Sequence, residues 1–493
     1  MIGAQEEITP EARATARNMS AAVLLKIAQY PFLVLSVLLV PRSLGPQAYG
    51  EYALVLSIIV MAASATELGL GEICGRFVQT FEINGDQRSL KRFASGLLAT
   101  KLALDALLFG PLLFLIWSIY GDRFPLFYYG LIVAILIVTD LGVVPYGLMF
   151  GMNRLNLYAL RHPLRRVLTL VLVLNLYHYF GIYGALASAF FVEAILTALN
   201  LAWGWRFLSL KDLRLDFKFL KPYLQFGFVF YVSNGVMIIW QKVGNPIVAH
   251  FTMDSSEVAL FDIPNQIFLI TTSFFLVTIG YLVPIFVRLL ATGKEEKLVA
   301  WSNLLLKYIF ALSTIMVGGF LIAGHEFIPV LIGRQYSAIY PNALVLLMGT
   351  FPMIVVQLGH VFCIIYKKAR NYLFALACAL LTFVTAASVL VPHLASMGAS
   401  LAMLLSTGVA AVALGVIFWR QVKPCLQEGL QVTLIGVVFI PFWFLRRNLI
   451  IDLLLAIAAG ILYLLILLIT RKLRIEEMSQ VIKAIRLRPN EQV

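Results

Sequence analysis

Apolar runs long enough to cross a bilayer recur along this whole chain, and they leave one class of fold open. The run from Leu449 to Thr470, LIIDLLLAIAAGILYLLILLIT, carries a single charge, Asp452. About 20 predominantly apolar residues cross the ~30 Å hydrocarbon core as a helix. Lipid offers no hydrogen bonds, so each such run must satisfy its own backbone. Only 13% of the 493 residues are charged, about half the share of a soluble domain. A water-facing surface cannot be built from such a chain. The expected fold is therefore all-α, a polytopic membrane protein.

Hydropathy, Gly/Pro punctuation and charge breaks divide the chain into about fourteen spans. They fall near 18–40, 50–72, 94–118, 126–150, 164–180, 182–203, 224–249, 258–286, 301–323, 341–365, 371–391, 397–418, 430–445 and 449–470. The first run is long enough to stay as a helix, and no cleavage pattern follows it. Numbered alternately from a cytoplasmic N-terminus, one set of loops holds 30 of the 38 lysines and arginines and the other holds 5. That asymmetry predicts two cytoplasmic termini. The net charge of +13 then reflects inward-facing loops rather than nucleic acid. The four scattered cysteines, with no CxxC spacing, read as buried small hydrophobes. The tail from Arg471, with Ile475, Met478, Ile482 and Ile485 on one face, is expected along the inner leaflet.

An internal repeat organises the spans. An offset of 209 brings GPQAYGEYALVLSII, from Gly45, onto DSSEVALFDIPNQI, from Asp254, and Phe77 onto Phe286. Further on, an offset of 214 brings RLNLY at Arg154 onto KARNY at Lys368, and YGA at Tyr183 onto MGA at Met397. Six helices separate the copies, so they run the same way through the membrane, as parallel repeats about an axis along its normal. The expected organisation is an N-terminal arm (1–17), an N-lobe (18–203), a linker (204–223), a C-lobe (224–418), two added helices (419–470) and the tail (471–493).

Polar residues recur at helical spacing inside several spans. Span 1 has Lys26, Gln29, Tyr30 and Ser36; span 7 has Tyr231, Asn234, Gln241, Lys242 and Asn245; span 8 has Asp262, Asn265, Gln266, Thr272 and Ser273. Residues three and four apart share a face, and lipid cannot solvate that face. Spans 1, 2, 7 and 8 are thus expected to surround a hydrated central cavity. Ser, Thr and Asn here serve equally well as contacts between helices. For Lys26, Lys242, Glu67 and Asp262 that explanation is weaker, because an ammonium at mid-membrane costs roughly 2.5–3.5 kcal/mol. Lys101, Asp105, Asp140, Glu193 and Lys307 lie nearer the predicted span ends, where snorkelling accounts for them. No HExxH, Walker A or GxSxG pattern occurs, and GLGEICG (Gly69 to Gly75) has the wrong spacing for a dinucleotide site. Its glycines read as a loosened helix end.

Three stretches carry a resemblance: LVPRSLGPQAYGEYALVLSIIV continuing to ATELGLGEICGRFV, then IFVRLLATGKEEKL, then FIPVLIGRQYSAIYPNALVLLMG. They resemble the polysaccharide-transporter branch of the multidrug/oligosaccharidyl-lipid/polysaccharide flippase superfamily. The resemblance implies two six-helix lobes followed by two more helices. It also implies a flippase that moves a polyprenyl-diphosphate-linked oligosaccharide to the outer leaflet, with no cofactor. Its partners would be the lipid-linked glycan, membrane lipids and polysaccharide polymerase machinery. Glu51 matches an acidic position of related lipid II flippases, whereas their span 1 arginines are missing here, which argues against lipid II itself. On this view Lys26 and Lys242 face the diphosphate, and Gln29, Tyr30, Tyr231, Asn234, Gln241, Asn265 and Gln266 face the sugars. Glu51, Glu67 and Asp262 are candidates for coupling to protons, sodium ions or the membrane potential. A multidrug antiporter of the same superfamily, and more remotely a membrane glycan polymerase or ligase, are the alternatives.

Overall fold

A computed structural model describes residues 10–280 and 283–473. The tail from residue 474 and the first nine residues of the N-terminal arm lie outside them, as does the side chain of Lys26. Among the described residues every regular element is helical. The α-helices are α1 (Pro10–Ser64), α2 (Leu70–Ile83), α3 (Gln87–Tyr120), α4 (Leu126–Gly151), α5 (Leu155–Gly204), α6 (Phe217–Lys242), α7 (Gly244–Thr252) and α8 (Ser255–Gly280). They continue with α9 (Val283–Ala291), α10 (Glu295–Leu331), α11 (Ile339–Met348), α12 (Thr350–Ile365), α13 (Ala369–Ile417), α14 (Trp419–Ile435), α15 (Phe439–Phe444) and α16 (Leu449–Ile469).

Ten helical stretches are long and apolar enough to cross a membrane. The expected number was about fourteen, and helix length explains much of the difference. At 1.5 Å per residue, α1, α5 and α13 would each run roughly 75–80 Å if straight, far beyond any bilayer. Each contains one residue with non-helical backbone, Gly45, Gly181 and Ala395 respectively. In α5 the chain folds back there: a Cβ on Gly184 would lie 2.1 Å from the carbonyl oxygen of Leu176. Eight residues along a straight helix are about 12 Å apart. α13 repeats the contact, with Gly398 against the Leu390 carbonyl at 2.5 Å. Predicted spans 5 and 6 are the two arms of α5, and spans 11 and 12 those of α13.

Helix caps recur at offsets of 208 and 214, within one residue of those read from the sequence. α4 ends with Asn153 left-handed, its N–H on Phe150 and the Arg154 N–H on Met149. α12 ends with Lys367 left-handed, its N–H on Ile364 and the Lys368 N–H on Cys363. Gly85 and Gly293 close α2 and α9 with the same pair of bonds. These are Schellman turns, which satisfy carbonyls that the helix end leaves open.

One compact unit ends at Ala259 and a second begins at Leu260. The core of the first includes Leu70, Ile73, Cys74 and Val78 of α2, Phe93 and Leu97 of α3, Val144 and Leu148 of α4, and Leu220 of α6. Phe93 and Tyr223 meet edge to face at 5.0 Å, bracing α3 against α6. In the second unit α14 and α16 pack on α10 around Ile322, Val432, Phe439 and Tyr463. The Tyr463 hydroxyl donates to the Val432 carbonyl at 3.1 Å, so its polar tip is satisfied. The opposite face of α16 exposes Ile450, Leu454, Ile457 and Ile461, an apolar stripe suited to acyl chains.

Candidate functional site: a broken helix and two charged clusters

The predicted second span, 50–72, is interrupted. α1 stops at Ser64, and residues 65–69 turn before α2 starts at Leu70, with Leu68 and Gly69 both left-handed. This is where GLGEICG begins, and its first glycine does loosen a helix end. Such a break leaves carbonyls without helical donors, a serious cost at membrane depth. Tyr231 of α6 donates its hydroxyl to the Ala65 carbonyl at 2.6 Å. A Cβ on Gly69 would lie 2.6 Å from the Gly227 carbonyl oxygen, so α6 meets the break main chain to main chain.

Beside the break lies Lys101. Its Nζ donates to Thr66 Oγ1 at 2.5 Å and to Asp105 Oδ1 at 2.8 Å, and it stands 2.8 Å from Asp140 Oδ2. Two of the ammonium's three protons are thus given to hydrogen bonds, and Asp140 adds an ion pair. Lys101 is 1% exposed, and Asp105 and Asp140 are 3% exposed. The snorkelling expected of these residues is therefore overturned, since snorkelling requires the charged head to reach water. The reason is helix length. α3 starts at Gln87, so Lys101 sits about 21 Å along it rather than near an end. Asp140 is equally far into α4.

A second cluster is cationic. Span 5 was expected to start at residue 164, with Arg161, Arg165 and Arg166 at or outside its edge. α5 instead starts at Leu155, which puts the three arginines about 9–17 Å along it. Glu193, on the returning arm of α5 and 3% exposed, accepts from Arg161 at 3.2 Å and pairs with Arg165. The Arg161 guanidinium also lies 4.4 Å from the Tyr146 ring centroid, a cation–π contact. Arg166 has no carboxylate partner among the described residues. Two of the three cations thus share one carboxylate.

The residues singled out from the sequence are distributed as follows. Tyr231 reaches the break through the Ala65 carbonyl, and Glu67 lies in the same turn. Asn234 donates to Glu72 Oε1 at 3.3 Å, and Glu72 had not been singled out. Glu51 sits elsewhere in the same unit: it accepts from the Tyr128 hydroxyl at 2.6 Å. It also borders a cleft of about 520 Å³ lined by Leu44 to Ala48, Tyr177, Ile182 and Ser256. Gln29, Tyr30, Gln241 and Lys242 are half-buried. In the second unit Asp262 and Asn265 are buried and Gln266 is half-buried. The two charged clusters were missed as clusters. The available signal was the spacing Lys101/Asp105 and Arg161/Arg165, each four residues apart on one helix.

Residues 15–290 match the family described as polysaccharide biosynthesis protein. The chain belongs to that family. No curated protein matches it. The fold of this family member is that of a structure described as lipid II flippase MurJ in an inward closed conformation. The TM-score is 0.66 at 13% identity, covering 90% of this chain and 98% of the other. A multidrug resistance MATE family transporter of the MOP superfamily, inward-facing, gives 0.53 at 16% identity, covering 82% and 99%. A MATE transporter of Vibrio cholerae gives 0.52 at 15%, covering 82% and 98%. The resemblance read from the three sequence stretches thus holds for family and for fold, and the chain is a multi-pass helical membrane protein.

Proposed function

We propose that this family member is a flippase, carrying a polyprenyl-diphosphate-linked oligosaccharide from the cytoplasmic to the outer leaflet of a bacterial inner membrane by alternating access, with both termini cytoplasmic. The observation that carries this reading is the arginine cluster of α5, Arg161, Arg165 and Arg166, in which Glu193 is the carboxylate paired among the described residues, with Arg161 and Arg165. A surplus of cations on one helix calls for an anion, and guanidinium forks match phosphate oxygens in pairs. Family membership and the transporter fold support the same reading.

A diphosphate cannot enter hydrocarbon without counter-charge. In this proposal Arg165 and Arg166 supply it in the first unit, with Lys26 and Lys242 as further cations. Gln29, Tyr30, Tyr231, Asn234, Gln241, Asn265 and Gln266 hydrogen-bond sugar hydroxyls. Glu51, Glu67 and Asp262 remain candidates for ion coupling. Outward movement of each negative charge is also favoured by an interior-negative potential, by about 2.3 kcal/mol per 100 mV. The lobes 18–203 and 224–418 would be the moving bodies, and helices 419–470 an addition to the second.

The test is depletion in the native host, followed by analysis of polyprenyl-linked glycan on the inner leaflet. Accumulation that wild-type protein reverses, and that Arg165→Ala/Arg166→Ala at equal membrane level does not, is the expected result. Full reversal by that double variant overturns the role of the cluster. Unaltered glycan together with new drug sensitivity points to the antiporter alternative.

A further inference from the structure

We propose that Asp105 and Asp140 share one exchangeable proton, and that their contact with Lys101 makes the break between α1 and α2 sensitive to its presence. This does not rest on the flippase reading. Asp105 Oδ2 is buried with no hydrogen-bond donor among the described residues. Asp140 Oδ2 is likewise buried without a hydrogen-bond partner among the described residues, and one ammonium 2.8 Å from both carboxylates holds the two side by side. Two ionised carboxylates are acceptors only, so the two can hydrogen-bond to each other only when one of them carries a proton.

The charge balance agrees. With both aspartates ionised, the buried triad of Lys101, Asp105 and Asp140 bears one uncompensated negative charge, which is costly away from water. One proton neutralises it, and either carboxyl group can hold that proton. A metal ion does not fit, because the Lys101 ammonium already occupies the point 2.8 Å from both carboxylates.

The groups surrounding the pair are few. Lys101 faces it from α3 and Thr66 lies beyond, in the α1–α2 turn. Glu67 is the next charge in that turn, and Glu72 the next in α2. Tyr231 reaches the turn from α6. From α5, Thr197 and Asn200 bond the Val138 and Gly142 carbonyls of α4. The proton comes from water and returns to it, adding to one aspartate oxygen with no other bond broken. Its arrival reduces the anionic charge holding Lys101, and the same ammonium holds Thr66. The turn therefore feels the protonation directly.

Infrared difference spectra of the full-length protein in lipid nanodiscs, taken on acidification, test this. The expected result is a protonated-carboxyl C=O band that shifts when aspartate carboxyls are ¹³C-labelled. It should be lost in Asp105→Asn and in Asp140→Asn and retained in Glu67→Gln, Glu72→Gln and Asp262→Asn. A shared proton is lost with either partner, so one variant that folds suffices. If neither folds, a labelled band that survives in Asp262→Asn and Asp452→Asn supports the proposal. A wild-type protein with no label-sensitive band, or a band unchanged in a folded Asp105→Asn or Asp140→Asn variant, overturns it.

Discussion

Gly181 and Ala395 adopt nearly one backbone conformation, φ 58°, ψ −143° and φ 47°, ψ −131°. Each folds a long helix back on itself, and only the second does so with a Cβ attached. That Cβ makes the Ala395 turn strained, by an amount on the order of 1–3 kcal/mol. Ala395→Gly should raise stability by about 1 kcal/mol after the added chain entropy of glycine is subtracted. Gly181→Ala should lower it by about 1–2 kcal/mol, although nothing lies within 4 Å of the new Cβ. Thermal unfolding of the purified protein in detergent measures both, and shifts of the same sign would contradict the account.

The contact between Gly69 and Gly227 predicts an asymmetric pair of variants. Gly69→Ala meets a carbonyl oxygen at 2.6 Å in a left-handed conformation, and should cost about 2 kcal/mol or more. Gly227→Ala meets the Cδ1 of Ile73 at 2.5 Å, an atom that can rotate away, so its cost should be smaller. Equal losses of melting temperature would count against the close approach at the break.

Removing the ammonium from the buried triad should be severe. Lys101→Met leaves the buried carboxyl pair without its counter-charge, for a loss of about 3–5 kcal/mol. Adding Asp105→Asn and Asp140→Asn to that variant should recover most of it, since the three residues act as one group. Unfolding midpoints of the single and triple variants, compared in one detergent, provide the check.

Arg166 should separate transport from stability. Arg166→Ala is expected to lower glycan export about tenfold, the loss of one charge-assisted contact, with little change in melting temperature. Arg166→Lys should restore part of the export, because it keeps charge but not the planar fork. An export rate in cells that is indifferent to both changes would contradict anion binding here.

Acid should release the start of α6. The Arg92 side chain, then the Phe219 backbone N–H, hold the Asp216 carboxyl below the usual carboxylate range. A carboxyl with a lowered folded-state value contributes fully above its unfolded value, about 3.9, and less as pH falls through the folded one. The stability difference between wild type and Asp216→Asn should therefore be present at neutral pH and vanish in strong acid. Melting curves over an acid series measure it, and a difference that grows on acidification would reverse the sign.

Periodicity and hydropathy carried the helical class and the position of most spans, because lipid enforces apolar runs. Helix ends were harder to read. α3 and α5 run seven and nine residues beyond the predicted spans at their starts, since charged side chains tolerated inside a bundle look in sequence like a loop. That is why Lys101 and Arg161 were read as lying near span ends or in a loop. The pairing of Lys101 with Asp140 was invisible for another reason: it joins separate helices, 39 positions apart, and no local spacing encodes it. Tyr231 was found because it belongs to a polar stripe at helical spacing, and Glu67 because a full charge stands out in an apolar span.

The paired Schellman turns also record where the two halves drifted apart. From Gly85 to Asn153 and from Gly293 to Lys367, the second copy is longer by six residues. Three of these lengthen α10 relative to α3, two enter the connection that follows, and one falls across the join of α11 and α12. Growth was therefore confined to the stretch remote from the caps, by roughly 4.5 Å in α10. The turns that close α4 and α12 thus keep one form, while the connections after α3 and α10 tolerate a change of length.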